Sequence, residues 1–299
     1  MPVLFICPHC QTSTQVDDCY SGHTGECVTC GQAIQIPEFK PSEIADPPRQ
    51  KSLGLAWVTA VVVVILLVGL IVFLVRVGGQ TVQRMSATRG RSDSVENLRR
   101  IAEALNAYAN DNGTYPPSVL KIGSRRHSWR VLILPYLGED DLYSRYNFDE
   151  AWDSPRNMGL IYQMPRVFQN SQVSAPYSVT SRSHYYLITG AGTVFPPSGP
   201  LSPDQIKDEH EKTLLVVEGS PVNKGSGSWT EPCDLQIRDI QASSAVNGAN
   251  GLGGLLDGGF AAATVDAMGH FIDESISPIA LDALITANGG ERLPDDVFD

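Results

Sequence analysis

The chain has 299 residues, enough for about two folded units at the usual 100–200 residues per domain, and 18% of them are charged. Its formal net charge is −11, and the acidic surplus is concentrated after residue 130, where 9 Lys/Arg accompany 23 Asp/Glu. This composition excludes nucleic acid as the expected partner of that part, because binding phosphate requires Lys and Arg.

Four cysteines near the N-terminus form the strongest local pattern. They occur as two C-x2-C pairs separated by sixteen residues, namely Cys7, Cys10, Cys27 and Cys30. This spacing is typical of zinc ribbons, in which two such turns bring four thiolates into a tetrahedral shell. Gly31 suits the positive-φ corner that follows the second pair. We expect residues 1–36 to be a zinc ribbon that folds with its metal, with short strands at Val3–Ile6 and Ala33–Ile36 forming a small sheet.

The predicted zinc is structural, since four sulfurs leave no open coordination position for a substrate. Cys19 and His23 lie between the two pairs, and either could replace a ligand. Four cysteines already suffice, however, so we expect both to stay outside the site. Two disulfides and a redox C-x-x-C are the alternatives, although a redox pair favours a βαβ context that is absent from this sequence. Ribbons of this kind are more often interaction or assembly modules than enzymes, which predicts a protein partner.

A linker and a long apolar run follow. Residues 37–52 contain four prolines and no hydrophobic periodicity, which predicts an extended linker. Residues 53–75 contain no charge, and a helix of that length, about 34 Å, can cross a hydrocarbon core of about 30 Å. We therefore predict a transmembrane helix with the lipid bilayer as its partner. The alternative is a buried core helix, which seldom runs this long without a charge.

Residues 76–112 are predicted to form a stalk and an amphipathic helix. The helix can flex at Gly78-Gly79, and Asp93 to Glu96 fits a capping box that would start a new helix. An apolar stripe follows at spacings of three and four: Val95, Leu98, Ile101, Leu105 and Tyr108. Asn112-Gly113 supplies the stop. The basic residues of this band either contact anionic lipid headgroups or form the solvated face of the helix.

Several blocks of the C-terminal part carry a resemblance. Residues 96–118 end in an Asn-Gly-x-Tyr-Pro turn that is similar to the end of the long first helix of type II secretion pseudopilins and type IV pilins. Further blocks lie at 127–137, 142–143, 148–157, 213–218, 229–235 and 258–291. Together they resemble a bacterial pseudopilin-like family of unknown function. The resemblance implies an α+β, pilin-like head over residues 113–299, with a long N-terminal helix packed on an antiparallel sheet.

The sequence departs from that family at its membrane segment. Prepilins carry a Gly-Phe cleavage junction and a Glu shortly inside the apolar run. Here Ser52-Leu53-Gly54-Leu55 leads into the run, no acidic residue lies within it, and the cysteine pairs stand where the leader would be. We therefore expect a permanently anchored relative rather than a processed subunit that polymerises.

Within the head, stretches rich in β-branched and aromatic residues predict three strands, at Tyr185–Thr189, Leu214–Glu218 and Phe260–Val265. Residues 266–269 predict a hairpin turn before a strand at His270–Ile272. Ser277-Pro278 predicts the start of a final helix that ends at 288–290. The segments 194–204, 219–231 and 243–259, rich in Gly, Pro and Ser, predict exposed loops.

No catalytic or cofactor-binding residue is predicted, and we expect a protein that is not an enzyme. The histidines of the head are scattered and expected to be surface or hydrogen-bonding residues: His127, His184, His210 and His270. Acidic residues at 139–141 and 149–153 make calcium in the head an alternative, but paired carboxylates on an acidic surface usually face water. Trp129, Trp152 and Trp229 are expected to be packing anchors, and Cys233 a small buried residue.

Two rules conflict over orientation. Basic residues flanking a membrane segment are usually more numerous on its cytoplasmic side. There are four arginines after the run, at 76–91, and three basic residues before it, at 40–51, so this count favours a cytoplasmic head by one residue. Thiolates that await zinc favour the reducing cytoplasm, and pilin-like heads lie outside. We give these more weight and predict a bacterial inner-membrane protein with its N-terminus in and its head out.

The predicted role is a structural or assembly component of an envelope or secretion-related system, with protein partners on both sides. The alternative is an extracytoplasmic ligand-binding or sensing module that signals through the ribbon.

Overall fold

The computed structural model describes residues 2–39, 53–170, 181–219, 227–242, 246, 251–253, 256–294 and 297–298. The chain divides into two compact units, Met1–Leu70 and Ile71–Asp299. Most of the predicted linker, residues 40–52, lies outside the described residues.

The N-terminal unit begins with two β-hairpins. Strand β1 (Val3–Ile6) pairs with β2 (Ser13–Val16), and β3 (Thr24–Glu26) pairs with β4 (Ala33–Gln35), both antiparallel. A 3-10 turn at Asp18–Tyr20 lies between them. The predicted strands are confirmed, the second one residue shorter than expected. The expectation that they share one small sheet is wrong, since each pairs within its own hairpin.

Helix α1 (Leu53–Asn112) runs through the apolar segment and on into the second unit. The prediction of a separate helix that starts at Asp93 is wrong, and Gly78-Gly79 does not interrupt the helix. The intervening residues contain no proline, and a glycine costs a helix only about 1 kcal/mol. The residues around the expected capping box have other partners: Ser94, next to the expected cap Asp93, is buried in a side-chain network, and Glu96 pairs with Arg99 at 2.8 Å.

Short elements connect α1 to the sheet of the head. The strands are β5 (Val119–Ile122), β6 (Arg125–Ser128), β7 (Tyr185–Tyr186), β8 (Ile188–Thr189), β9 (Leu214–Glu218), β10 (Leu235–Gln236), β11 (Gly259–Thr264) and β12 (Gly269–Asp273). The helices are α2 (Trp129–Leu132), α3 (Asp140–Arg145), α4 (Pro155–Met158), α5 (Ile237–Gln241) and α6 (Pro278–Ile285). Further 3-10 turns lie at Pro135–Leu137, Ile161–Gln163, Arg166–Phe168, Pro203–Gln205 and His210–Lys212.

A four-stranded antiparallel sheet of order β12-β11-β9-β7 lies at the centre of the head. One of its faces packs against the buried stripe of α1, where Leu98, Ile101 and Leu105 are fully buried. The opposite face packs against α5 and α6 through residues such as Leu284 and Ile240. Along β11, alternate residues serve the two cores, as expected for a strand covered on both sides. The head is therefore a mixed α/β unit with helices on both faces of an antiparallel sheet.

Most predictions for the head are confirmed, with shifted boundaries. The first predicted strand is divided into β7 and β8, of which β8 pairs in parallel with β10. The turn at 266–269 joins β11 to β12, with Ala267 at a positive φ of 63°. Helix α6 starts where predicted but ends at Ile285, three residues before the expected stop.

The expectation of exposed loops is wrong in part for all three segments, since each contains buried apolar side chains among its described residues. Val194 and Phe195 are buried within 194–204, and Trp229 is buried within the described part of 219–231. Only part of 243–259 is described, and Leu252 there is buried as well. These apolar side chains complete the cores, so Gly, Pro and Ser around them mark irregular backbone rather than exposure.

Candidate metal centre

The first cysteine pair lies at the turn of the β1–β2 hairpin. The backbone N–H of Cys7 donates to the carbonyl of Thr12 at 3.0 Å, and that of Gln11 donates to the carbonyl of Cys7 at 2.9 Å. Gln11 has a positive φ of 59°, which a residue other than glycine seldom adopts. The turn therefore folds back tightly and directs both sulfurs to one side.

The second pair repeats this geometry in the β3–β4 hairpin. The N–H of Cys27 donates to the carbonyl of Gln32 at 2.9 Å, and that of Gly31 donates to the carbonyl of Cys27 at 2.8 Å. Gly31 has a φ of 65°, as its sequence position predicted. Each hairpin thus contributes one knuckle with two sulfurs.

The two knuckles bring all four predicted cysteine ligands together. The sulfurs of Cys7 and Cys30 are 3.9 Å apart, those of Cys10 and Cys27 are 3.7 Å apart, and all four lie within 4.8 Å of one another. A tetrahedral ion with metal–sulfur bonds of about 2.3 Å requires sulfurs about 3.8 Å apart. The geometry therefore fits a single metal ion held by four thiolates.

The disulfide alternative does not match these distances, because a disulfide requires about 2.05 Å between sulfurs and the cysteines here are free. Cys19 is exposed, and the ring of His23 lies 3.1 Å from the carbonyl of Ser21. Among the described residues, the four cysteines are the one group of three or more potential metal ligands that converges. The acidic residues proposed for calcium do not form such a group within the described ranges.

Electrostatics at the knuckles favours a cation. The Thr12 hydroxyl and backbone lower the pKa of the Cys10 thiol to about 6, and backbone N–H groups of Cys30 and Thr29 lower that of Cys27. The backbone of Gln32 favours the Cys30 thiolate, but burial and the neighbouring thiols outweigh it and raise that pKa to about 12. Four thiols this close ionise one after another, because each thiolate raises the pKa of the remaining thiols. A bound metal cation offsets the repulsion between the thiolates and favours the ionised form of all four.

An apolar surface surrounds the metal centre. A cavity of about 350 Å³ adjoins it, lined by Phe5, Val16 and Ile34 among others. Four large apolar side chains of the ribbon are more than half exposed: Leu4, Ile6, Tyr20 and Val28. A unit this small cannot cover them itself.

The apolar run forms part of α1. In the described chain, one segment, Trp57–Leu74, is long and apolar enough to cross a membrane by length and composition, with a mean hydropathy of 3.1. All of its side chains are exposed. The alternative interpretation of this segment is a core helix, which would be mostly buried. The exposure of Trp57–Leu74 does not fit that alternative.

Three of the four histidines of the head are buried or packed against other side chains, and His210 is exposed. His127 is buried, with its ring 2.9 Å from the Tyr146 hydroxyl, and burial lowers its pKa. His184 is also buried, which lowers its pKa to about 4. The ring of His270 stacks on Phe298.

Two of the three tryptophans are packing anchors, as predicted. Trp129 and Trp229 are fully buried, and both pack against Phe168, at 6.3 and 6.2 Å between ring centroids. Trp152 and Cys233 are only partly buried.

Sequence reasoning missed a buried ion pair in the head. Arg130 is 1% exposed, and its guanidinium lies 3.6 Å from Asp234 and between the rings of Trp129 and Tyr186. Asp234 also accepts hydrogen bonds from the Trp129 indole at 2.9 Å and the Leu187 N–H at 3.0 Å. Burial nevertheless raises the pKa of Asp234 to about 6. The sequence does show an arginine, Arg130, directly before four apolar residues. Its partner Asp234 lies 104 positions away, so no local pattern links the two.

A second buried polar network joins α1 to the sheet. The hydroxyls of Ser94 and Tyr185 lie 3.1 Å apart, and the Asn170 amide donates to both Ser94 and Glu218. Glu218 is fully buried at the end of β9, and burial raises its pKa to about 7. The network fixes the position of the helix on the sheet.

Comparison with known protein families identifies part of the head. Residues 87–223, just under half of the chain, match the model of a family described as a protein of unknown function, DUF1559. No curated protein matches the chain, and no solved structure does. The matched range begins inside α1 and covers the buried helix stripe, the β5–β6 hairpin and three strands of the head, but not the cysteine knuckles.

Proposed function

We propose that this chain is a single-pass protein of the bacterial inner membrane with a non-catalytic role in an envelope or secretion-related assembly. In this proposal the N-terminal knuckles are a cytoplasmic zinc ribbon that binds a protein partner, and a pilin-like head lies outside. The observation that carries it is the fully exposed apolar segment Trp57–Leu74, which connects a four-thiol metal centre to a folded α/β head.

Three features support the individual parts. Free thiols persist in a reducing compartment, which supports a cytoplasmic ribbon. A closed shell of four sulfurs leaves no coordination position for a substrate, which supports a structural rather than catalytic metal. The exposed apolar residues of the ribbon, among them Val28 at 87% exposure, support a protein partner.

The pilin-like assignment of the head is supported by its packing. The second half of α1 lies along an antiparallel sheet through one continuous apolar stripe, and the matched family range covers most of this part of the helix and strands β7 and β9, but not β11 and β12. This is the arrangement that the resemblance to pseudopilins implies.

Topology is the test of this proposal, because the charge count around the apolar segment favours the opposite orientation. In spheroplasts of a bacterium expressing the full chain with a tag at each end, external protease is expected to digest the head. A fragment with the N-terminal tag and the apolar segment should survive. A cytoplasmic marker protein controls for intact membranes. Protection of the head with loss of the N-terminal tag would overturn the proposed orientation.

Thiol labelling gives an independent readout. Cys19 is exposed in the ribbon, and Ser198 is exposed in the head. A membrane-impermeant maleimide applied to spheroplasts should label a Ser198→Cys variant and leave Cys19 unlabelled until detergent is added. The Cys19→Ser/Ser198→Cys double variant is the matched control. Labelling of Cys19 without detergent would place the ribbon outside.

A further inference from the structure

The head contains a cleft beside the β5–β6 hairpin that the proposed structural role does not use. Two adjoining cavities of about 370 and 400 Å³ form it, within the size range of small-molecule sites. Both are lined by the same central residues: Ser118, Val119, Arg126, Thr189 and Gln236. The five shared residues make the two cavities one continuous cleft.

Its walls concentrate positive charge in an acidic part of the chain. Lys121 and Arg126 are directly opposite each other in the β5–β6 pair, so their side chains share a face. Both are exposed, and among the described residues neither has an acidic partner within ion-pair distance. Arg238 lines the other end of the cleft, where it pairs with Asp239 at 3.6 Å. Like charges opposite each other destabilise a hairpin, so an anion bound between the two side chains would relieve their repulsion.

The acidic residue of the lining does not neutralise these cations. Asp234 is 8% exposed, and its carboxylate is bound to the buried Arg130, to the Trp129 indole and to a backbone N–H. Its charge is therefore committed to the interior of the head. It therefore leaves the charges of Lys121 and Arg126 uncompensated within the lining.

The remaining lining has two kinds of wall. The centre carries the polar side chains of Ser118, Thr189 and Gln236, which line both cavities. The end away from Arg238 is apolar and rigid, formed by Phe195 together with four prolines, namely Pro117, Pro196, Pro197 and Pro200. Such a site suits a molecule with an anionic group at one end and an apolar body at the other.

We propose that this cleft binds a small organic oxyanion. Its phosphate or carboxylate group pairs with Lys121 and Arg126, with Arg126 able to donate two parallel hydrogen bonds, and its apolar body lies against the proline wall. The site goes beyond the proposed structural role, since it gives the head a ligand.

Equilibrium dialysis of the full chain in nonionic detergent tests this, with phenyl phosphate, benzoate and inorganic phosphate as probes at constant ionic strength. We expect one saturable site per chain, with phenyl phosphate bound about tenfold more tightly than inorganic phosphate, because only the former has an apolar body. The ratio of phenyl phosphate to benzoate affinity distinguishes a phosphate site from a carboxylate site.

Substitutions locate the site. Arg126→Gln and Lys121→Gln should each weaken binding of the preferred probe by about tenfold or more, the usual effect of losing a charge-assisted hydrogen bond. Arg156→Gln is the matched control, because Arg156 is exposed on the head and lies outside the lining. All three positions are exposed, and circular dichroism checks that the variants fold.

Two outcomes would overturn the proposal. One is the absence of saturable binding for all three probes. The other is equal weakening by Arg156→Gln and Arg126→Gln, which would indicate attraction by general surface charge. Neither outcome depends on orientation in the membrane, because the chain is solubilised, so failure here is separable from failure of the proposed function.

Discussion

The ribbon and the head solve the problem of folding in different ways. In the ribbon only three described apolar or thiol residues are buried: Cys7, Cys27 and Ile36. The head buries a continuous core on each face of its sheet, with Trp129, Phe168 and Trp229 fully enclosed. A unit with so small a core lacks the apolar burial to offset its chain entropy, whereas the head has it. We infer that metal stabilises the first and packing stabilises the second.

Removing the metal should produce the largest difference in stability between the ribbon and the head. Chelation, or the substitution Cys7→Ser, is expected to unfold the ribbon, because structural zinc supplies about 10–16 kcal/mol to such units. Metal analysis should give one zinc per chain before treatment and less than a tenth of that afterwards. Limited proteolysis should then cleave between residues 2 and 36 while the head fragment persists. A ribbon that stays protease-resistant without metal would break the comparison.

The reverse experiment removes the buried charge pair of the head. Arg130→Met leaves Asp234 buried without its cation, which should lower the free energy of unfolding of the head by about 3–5 kcal/mol. Denaturant unfolding followed by tryptophan fluorescence measures this. Arg99→Met is the matched control, since Arg99 forms exposed ion pairs on α1 and should cost at most about 1 kcal/mol. Zinc content should be unchanged in both variants, and a loss of zinc in Arg130→Met would contradict the independence of the two units.

Proton linkage at Glu218 is a smaller effect confined to the head. Its folded-state pKa of about 7 lies above the ordinary value of 4.5, so between these pH values the folded state holds more protons than the unfolded state. The head should therefore lose stability from this group as pH rises from 4.5 to 7, by up to about 3 kcal/mol. Glu218→Gln keeps the hydrogen bond from Asn170 and should flatten that part of the stability–pH curve. Identical curves for the variant and the parent chain would disprove the linkage.

The smallest effect is expected at Cys19. The residue is exposed and outside the sulfur cluster, so Cys19→Ser should leave zinc stoichiometry unchanged and alter stability by less than about 0.5 kcal/mol. Competition with a chromogenic chelator compares the zinc affinity of this variant with that of Cys10→Ser, which should lose it. Equal losses would make Cys19 a ligand.

The features that sequence predicted are those set by local spacing. The cysteine pairs specify their own turns, the stripe from Leu98 to Leu105 specifies the buried face of α1, and residues 266–269 specify a hairpin. Each depends on residues within about ten positions of one another, so pattern alone contains the information.

The features that sequence missed depend on long-range contacts. The Arg130–Asp234 pair and the β8–β10 pairing join residues more than forty positions apart, and nothing local marks their partners. The false helix start at the expected cap, Asp93, has a related cause, because its neighbour Ser94 lies inside α1 and contacts the hydroxyl of Tyr185 on the sheet. Tertiary contacts thus overrode a correct local propensity.

The separation of the two hairpins has a consequence for how the ribbon comes apart. Since β1–β2 and β3–β4 form separate two-stranded sheets, the sulfur cluster is a point where side chains of both hairpins converge. A metal ion there acts as a cross-link that closes a loop of sixteen intervening residues, and loop closure of that size restricts the unfolded chain much as a disulfide would. Unlike a disulfide, such a cross-link would open when the metal ion is withdrawn, without any change in the oxidation state of sulfur. The stability of the two hairpins would then depend on the concentration of free metal ion around them.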